Sequence, residues 1–194
     1  PDDVQRSVAH VAERIGLDDN ARAAVYYSAL LVNVGCHSDA HEQAKWFGDD
    51  IALKATKFDY EPRSAREALG MVRLLGAGGS ALHRIRTGVE FAVSGRHDVD
   101  DMLAQHAALA KQLADRLELP AQVGAALACS YERWDGKGWP GKVAGADASV
   151  ASRIVQLAEY VEVAYRTGGT TAARALAERR SGSQFDPTLV RVLC

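Results

Sequence analysis

Several places in this chain carry side chains that can do chemistry. The segment CHSDAHE, residues 36 to 42, holds His37 and His41 four apart, with Cys36, Asp39 and Glu42 beside them. On a helix that spacing turns both imidazoles to one side. Imidazole and carboxylate together suit a divalent transition metal. The same letters also spell a helix start, with Ser38 or Asp39 as N-cap and Glu42 in the first turn, and this plainer reading carries more weight. His106 falls with Leu103, Ala110, Leu113 and Leu117 on one helix face. An imidazole in that company is more often a buried, hydrogen-bonded core residue than a ligand. The stretch SYERWDGKGWPGK, residues 130 to 142, sets Glu132 and Asp135 among glycines and tryptophans. As a general acid–base pair those carboxylates would need a metal or nucleophile nearby, and the sequence offers none beside them. Arg174 with Glu178, Arg179 and Arg180 is a small mixed-charge run that reads as a solvated helix face.

The elements that must position these residues are helices. Apolar residues recur at intervals of three and four, and alternating β-branched strands are missing, so the predicted class is all-α. The 194 residues are 47% hydrophobic and 25% charged, which suits one compact domain over residues 1–194. A first helix is expected over residues 3–15, and a second, capped by Asp18 or Asp19, runs to a stop at Gly35. Residues 25–34 of the second are nearly all apolar and predict a core helix. One or two short helices broken near Gly48 are expected over residues 38–55, and further helices over 62–76, 80–95 and 99–119, the last stopped by Pro120. Residues 121–133 form another and lead into the Trp-rich stretch. Gly136, Gly138 and Pro140 break helix and strand there, and the aromatic content predicts an ordered loop rather than a linker. Helices follow over residues 149–168 and 171–182, then a short one begun by Asp186 and Pro187.

A net charge of −2 gives little support to direct nucleic-acid binding. No run is long and apolar enough for a transmembrane helix, so no membrane partner is expected. Three scattered cysteines, Cys36, Cys129 and Cys194, predict a reducing, cytoplasmic setting rather than a disulfide framework. The start at Pro1 and the end within a helical pattern lead us to expect a piece of a longer chain.

Five segments, by their order along the chain, resemble the HD-GYP family of the HD phosphohydrolase superfamily. SYERWDGKGWP is similar to that family's His-His-Glu-x-x-Asp-Gly-x-Gly-Tyr-Pro loop, and ASRIVQLAEYVEVAYRTGG looks like its helix ending in a metal-binding aspartate. GSQFDPTLVRVL resembles the closing segment, SALLVNVGC the helix ending in Leu-His-Asp-Ile-Gly-Lys, and AQHAALAKQLADRLELP the helix with an isolated histidine. Residues 37–95 have no clear counterpart. The resemblance implies a helical HD-like bundle and, in intact members, iron or manganese and hydrolysis of a cyclic dinucleotide.

Carried across residue by residue, the resemblance also implies that most metal ligands are gone. The motif His and Asp become Val32 and Asn33, the motif lysine becomes Cys36, and the paired histidines before Glu132 become Ser130 and Tyr131. The late aspartate becomes Glu159, and His106 is kept. Valine cannot ligate, an amide is a poor ligand beside carboxylates, and serine and tyrosine hydroxyls keep their protons near neutral pH. Protein sites for such metals typically take about three or more ligands. The expectation is therefore a degenerate, metal-free site and a bacterial signalling or regulatory module. Such a module would bind a small ligand, or a protein through Trp134 and Trp139. It would sit beside an output domain, which could be DNA-binding, and a homodimer is conceivable. The alternative is a metal-dependent phosphodiesterase, with iron or manganese held by His106 and Glu159 plus His37, Asp39 and His41. Glu132, Asp135, Gly136, Gly138, Trp139 and Pro140 are kept where the histidines are lost, so the loop reads as a preserved shape. Arg153 reads as a structural salt-bridge partner near the site.

Overall fold

The computed structural model describes residues 8–9, 11–34, 80, 82, 85–86, 89 and 96–193. The chain forms two compact units, one of residues 1–35 with 103–194 and the other of residues 36–102. In the second unit the described residues 82, 85, 86 and 89 are helical, and Leu82, Ile85 and Val89 are exposed.

The first unit is all-α, as the apolar spacing predicts; among the described residues, extended pairing is limited to one bridge, Ser181 to Phe185. Its elements are α1 (Asp19–Leu31), the part of α2 (Arg96–Arg116) from Leu103 onward, α3 (Ala121–Ala128), α4 (Val150–Arg180) and α5 (Pro187–Leu193). A helical stretch over residues 11–14 precedes α1. Asp18 caps α1, its carboxylate accepting from the Ala21 amide at 2.8 Å, which satisfies one of the helix's orphan donors. The helix stops at Leu31, four residues before the expected Gly35. It packs on α3 and α4 through Ala24, Val25, Ser28 and Leu31. Tyr26, Tyr27 and Leu30 point outward, so the nearly unbroken apolar run is not buried all round.

Val8, Val11, Val25, Val123, Leu127, Ile154, Leu157 and Phe185 are the large side chains of the core, each at most 2% exposed. Burying each contributes on the order of 2 kcal/mol. The two late helices expected from sequence are both present and meet at a break within α4. Gly168 (φ −148°, ψ 17°) and Gly169 (φ 67°, ψ −166°) leave helical geometry within α4, and the second conformation is one that glycine alone adopts readily. Beyond the break, Ala173, Leu176, Ala177 and Arg180 return to the core side. α3 is shorter than its predicted span of residues 121–133, because Cys129 and Ser130 already form a turn onto Ala126 and Leu127.

Candidate functional site

The positions that the family would fill with metal ligands come from the end of α1, from α2, from the α3–loop junction and from α4. Val32, just past α1, is half-buried and packs on the core edge. Asn33 follows it, exposed, and its side-chain amide donates a hydrogen bond to Oε1 of Glu159 on α4. His106 on α2 is buried, at 5% exposure, and its Nδ1 lies 3.1 Å from the Tyr131 hydroxyl. Ser130 turns its hydroxyl back to the Ala126 carbonyl at 3.4 Å. Ala110 is buried and Leu113 half-buried on the His106 face, but Leu117, expected with them, is 56% exposed at the helix end. His37, Asp39 and His41, with Cys36 and Glu42, lie outside the described residues.

Two of these positions therefore meet in each of two hydrogen-bonded pairs, Asn33 with Glu159 and His106 with Tyr131. Among the described residues no three His, Cys, Asp or Glu side chains are grouped so as to hold an ion. His106 and Glu159 are the good donors of the set, and two fall short of the three or so that such ions take. These residues do not fit the family's iron or manganese.

The loop of residues 130–145 is built as a frame. Glu132, 5% exposed, accepts from the backbone amides of Gly141 (3.1 Å), Lys142 (2.8 Å) and Val143 (3.3 Å). One carboxylate thus clamps the far side of the loop, which makes it a structural anchor. The Asp135 carboxylate accepts from the Lys137 amide at 3.0 Å and from Arg133 through two bonds of 3.1 Å. That is the turn role its sequence context predicts. Gly136 takes φ 71°, as expected of it. Gly138 is needed for space: a Cβ there would sit 2.4 Å from the Tyr131 carbonyl oxygen and 2.5 Å from the Arg133 nitrogen. The Trp139 amide closes that approach by donating to the Tyr131 carbonyl at 2.8 Å, and the bond to Pro140 is cis.

Both loop tryptophans are half-buried. Trp139 meets the Tyr131 ring edge-on at 6.3 Å, and Trp134 lies under the Arg153 guanidinium at 5.7 Å. Arg153 also donates to the Ala148 carbonyl at 3.1 Å and pairs with the buried Asp186, in line with its reading as a salt-bridge residue. Two loop supports escaped the sequence. Gln156 donates to the Glu132 carbonyl at 2.8 Å, tying the loop to α4. Arg180, read as part of a solvated run, is 4% exposed, donates to Gln184 at 2.9 Å and stacks over Tyr160 at 5.3 Å. Its place on the Ala173–Leu176–Ala177 face was the available signal. The turn it supports receives the loop, since the Trp134 and Asp135 amides donate to the Gln184 and Ser183 carbonyls.

An all-α domain with helix-borne ligand positions around a Gly-rich, cis-proline loop is the class that fold and site define. Residues 96–189 match the HD domain family model. The chain is also 23% identical over 185 residues to a 3'3'-cGAMP-specific phosphodiesterase of Vibrio cholerae, covering 95% of this chain and 40% of that protein. A crystal structure of a cyclic GMP-AMP specific phosphodiesterase from V. cholerae matches 98% of this chain and 42% of its own, with a TM-score of 0.69 and 20% identity. Residues 96–189 thus carry an HD domain, which supports a place in the HD-domain phosphohydrolase superfamily, and the chain spans about two-fifths of the length of these relatives.

Proposed function

We propose that this domain recognises a cyclic dinucleotide. The observation that carries the reading is the match, along 95% of the chain, to a phosphodiesterase named for such a ligand. The relatives also bear on what happens next: taken alone, they favour hydrolysis of the phosphodiester over a part that is non-catalytic.

The side chains at the ligand positions support recognition without cleavage. A metal-activated hydroxide needs a held ion, and Val32, Asn33, Ser130 and Tyr131 supply no such ligands. Hydrolysis is thus the second reading, favoured by the relatives and by the retained His106 and Glu159. It requires donors beyond the described residues. In the binding reading the domain senses its ligand and passes on a shift between two packings, to a neighbouring output domain in a longer bacterial chain.

The test incubates the chain with 3'3'-cGAMP, with and without Fe(II) or Mn(II), and follows ligand and products by chromatography beside equilibrium dialysis. Bound, intact ligand in every condition supports recognition without cleavage. Metal-dependent turnover supports the phosphodiesterase reading. Absence of both binding and turnover in every condition refutes the proposal.

A further inference from the structure

We infer that Asn33 does the work of the missing cation toward Glu159, so that this half of the site is complete without metal. This rests on the metal-free reading of the site and adds to it the residue that makes it so. The Glu159 carboxylate sits half-buried on α4, and in a metal-bound HD domain a carboxylate at this place would be neutralised by the ion. Here the Asn33 amide donates to it. A neutral donor satisfies the charge as a hydrogen bond, where an aspartate at residue 33 would set two carboxylates side by side. Two adjacent carboxylates repel one another and invite either a proton or a divalent cation. On the other side of the site the Tyr131 hydroxyl meets Nδ1 of His106, again a protein group at a family ligand position. The two replacements are of one kind: each puts a hydrogen-bonding neutral group where the family has a ligand. Asparagine at residue 33 is therefore a compensated change rather than simple decay of the motif.

The experiment is thermal unfolding of the whole chain in EDTA and in Mn(II), without nucleotide, so its outcome does not depend on which ligand the domain takes. Wild type is expected to melt at one temperature in both buffers. Asn33→Asp is expected to melt lower in EDTA by about 3 °C or more, the shift that a lost hydrogen bond and a like-charge contact give in a chain of this size. Mn(II) should restore it. Combining Asn33→Asp with Glu159→Gln exchanges the amide and the carboxylate, and should recover the wild-type melting temperature in EDTA and lose the Mn(II) response. Asn33→Ala should melt slightly lower, with no rescue by Mn(II). The inference is overturned if Mn(II) stabilises wild type as much as Asn33→Asp, if Asn33→Asp matches wild type in EDTA, or if the exchanged pair gives no recovery. Should Asn33→Asp fail to fold alone, recovery of folding in the exchanged pair supports the inference and continued failure overturns it. A positive result here with no cyclic-dinucleotide binding would sink the ligand assignment alone.

Discussion

Replacing Glu132 by alanine tests whether the loop is held by its own carboxylate. That side chain is 5% exposed and accepts three backbone hydrogen bonds, from residues 141, 142 and 143. Bonds to a charged acceptor contribute about 1.5–3 kcal/mol each when the donor is otherwise buried. Gly141 and Lys142 are exposed and Val143 half-buried, so water can take over part of the donation. About 1 kcal/mol per bond is the better value, giving roughly 3 kcal/mol for the clamp. In a chain of this size each kcal/mol moves the melting temperature by about 2–4 °C, so Glu132→Ala should lower it by roughly 6–12 °C. Glu132→Gln keeps one acceptor oxygen and should give up about half of that. Circular dichroism reads the melting temperature. Tryptophan emission reads the loop, because Trp134 and Trp139 are two of the three tryptophans in the chain. A red-shifted emission should accompany the loss. A fall of less than about 2 °C in Glu132→Ala, with unchanged emission, would refute the reasoning, since three bonds cannot vanish so cheaply.

Other changes test the same architecture. Gly138→Ala forces a Cβ to within 2.5 Å of backbone atoms of residues 131–133, so it should cost at least about 2 kcal/mol and disturb Trp139, read by melting and emission. Arg153→Met leaves the buried Asp186 carboxylate without its guanidinium and should lower stability by about 3 kcal/mol in denaturant titration. Gly169→Ala meets open space but a φ of 67° with ψ −166°, so the penalty is backbone strain of about 1–3 kcal/mol. Mass spectrometry of wild type after Fe(II) and Mn(II) incubation should show substoichiometric metal, unchanged by His106→Ala.

How far the sequence speaks for the structure depends on the residue. Asp18 as a cap, the break at Gly168–Gly169 and the capping of α5 by Asp186 were all legible, because each is fixed by local backbone chemistry, whereas α2 ends at Arg116 with Glu118 at φ 53° and not at the expected Pro120. The loop was legible as a shape for the same reason, through its glycines and proline. The end of α1 at Leu31 and of α3 at Ala128 was not, since Val32 and Val34 carry the apolar run past α1 and no glycine or proline follows α3 before Gly136. Arg180 misled because a charged residue in a mixed run is ordinarily solvated; its burial depends on a turn formed by residues that follow it. At the site, the replaced ligands could be named from a resemblance. That Asn33 meets Glu159, or that Tyr131 meets His106, is a tertiary fact linking residues far apart in the chain.

The most direct measurement of the central claim is calorimetric titration of 3'3'-cGAMP into the chelator-treated chain, with the recovered ligand checked by chromatography. Saturable binding of ligand that comes back intact is the predicted result. Absence of binding heat in EDTA and again after Mn(II) is restored would contradict recognition itself. Binding and cleavage that appear with Mn(II) alone would contradict the metal-free site and establish the phosphodiesterase reading.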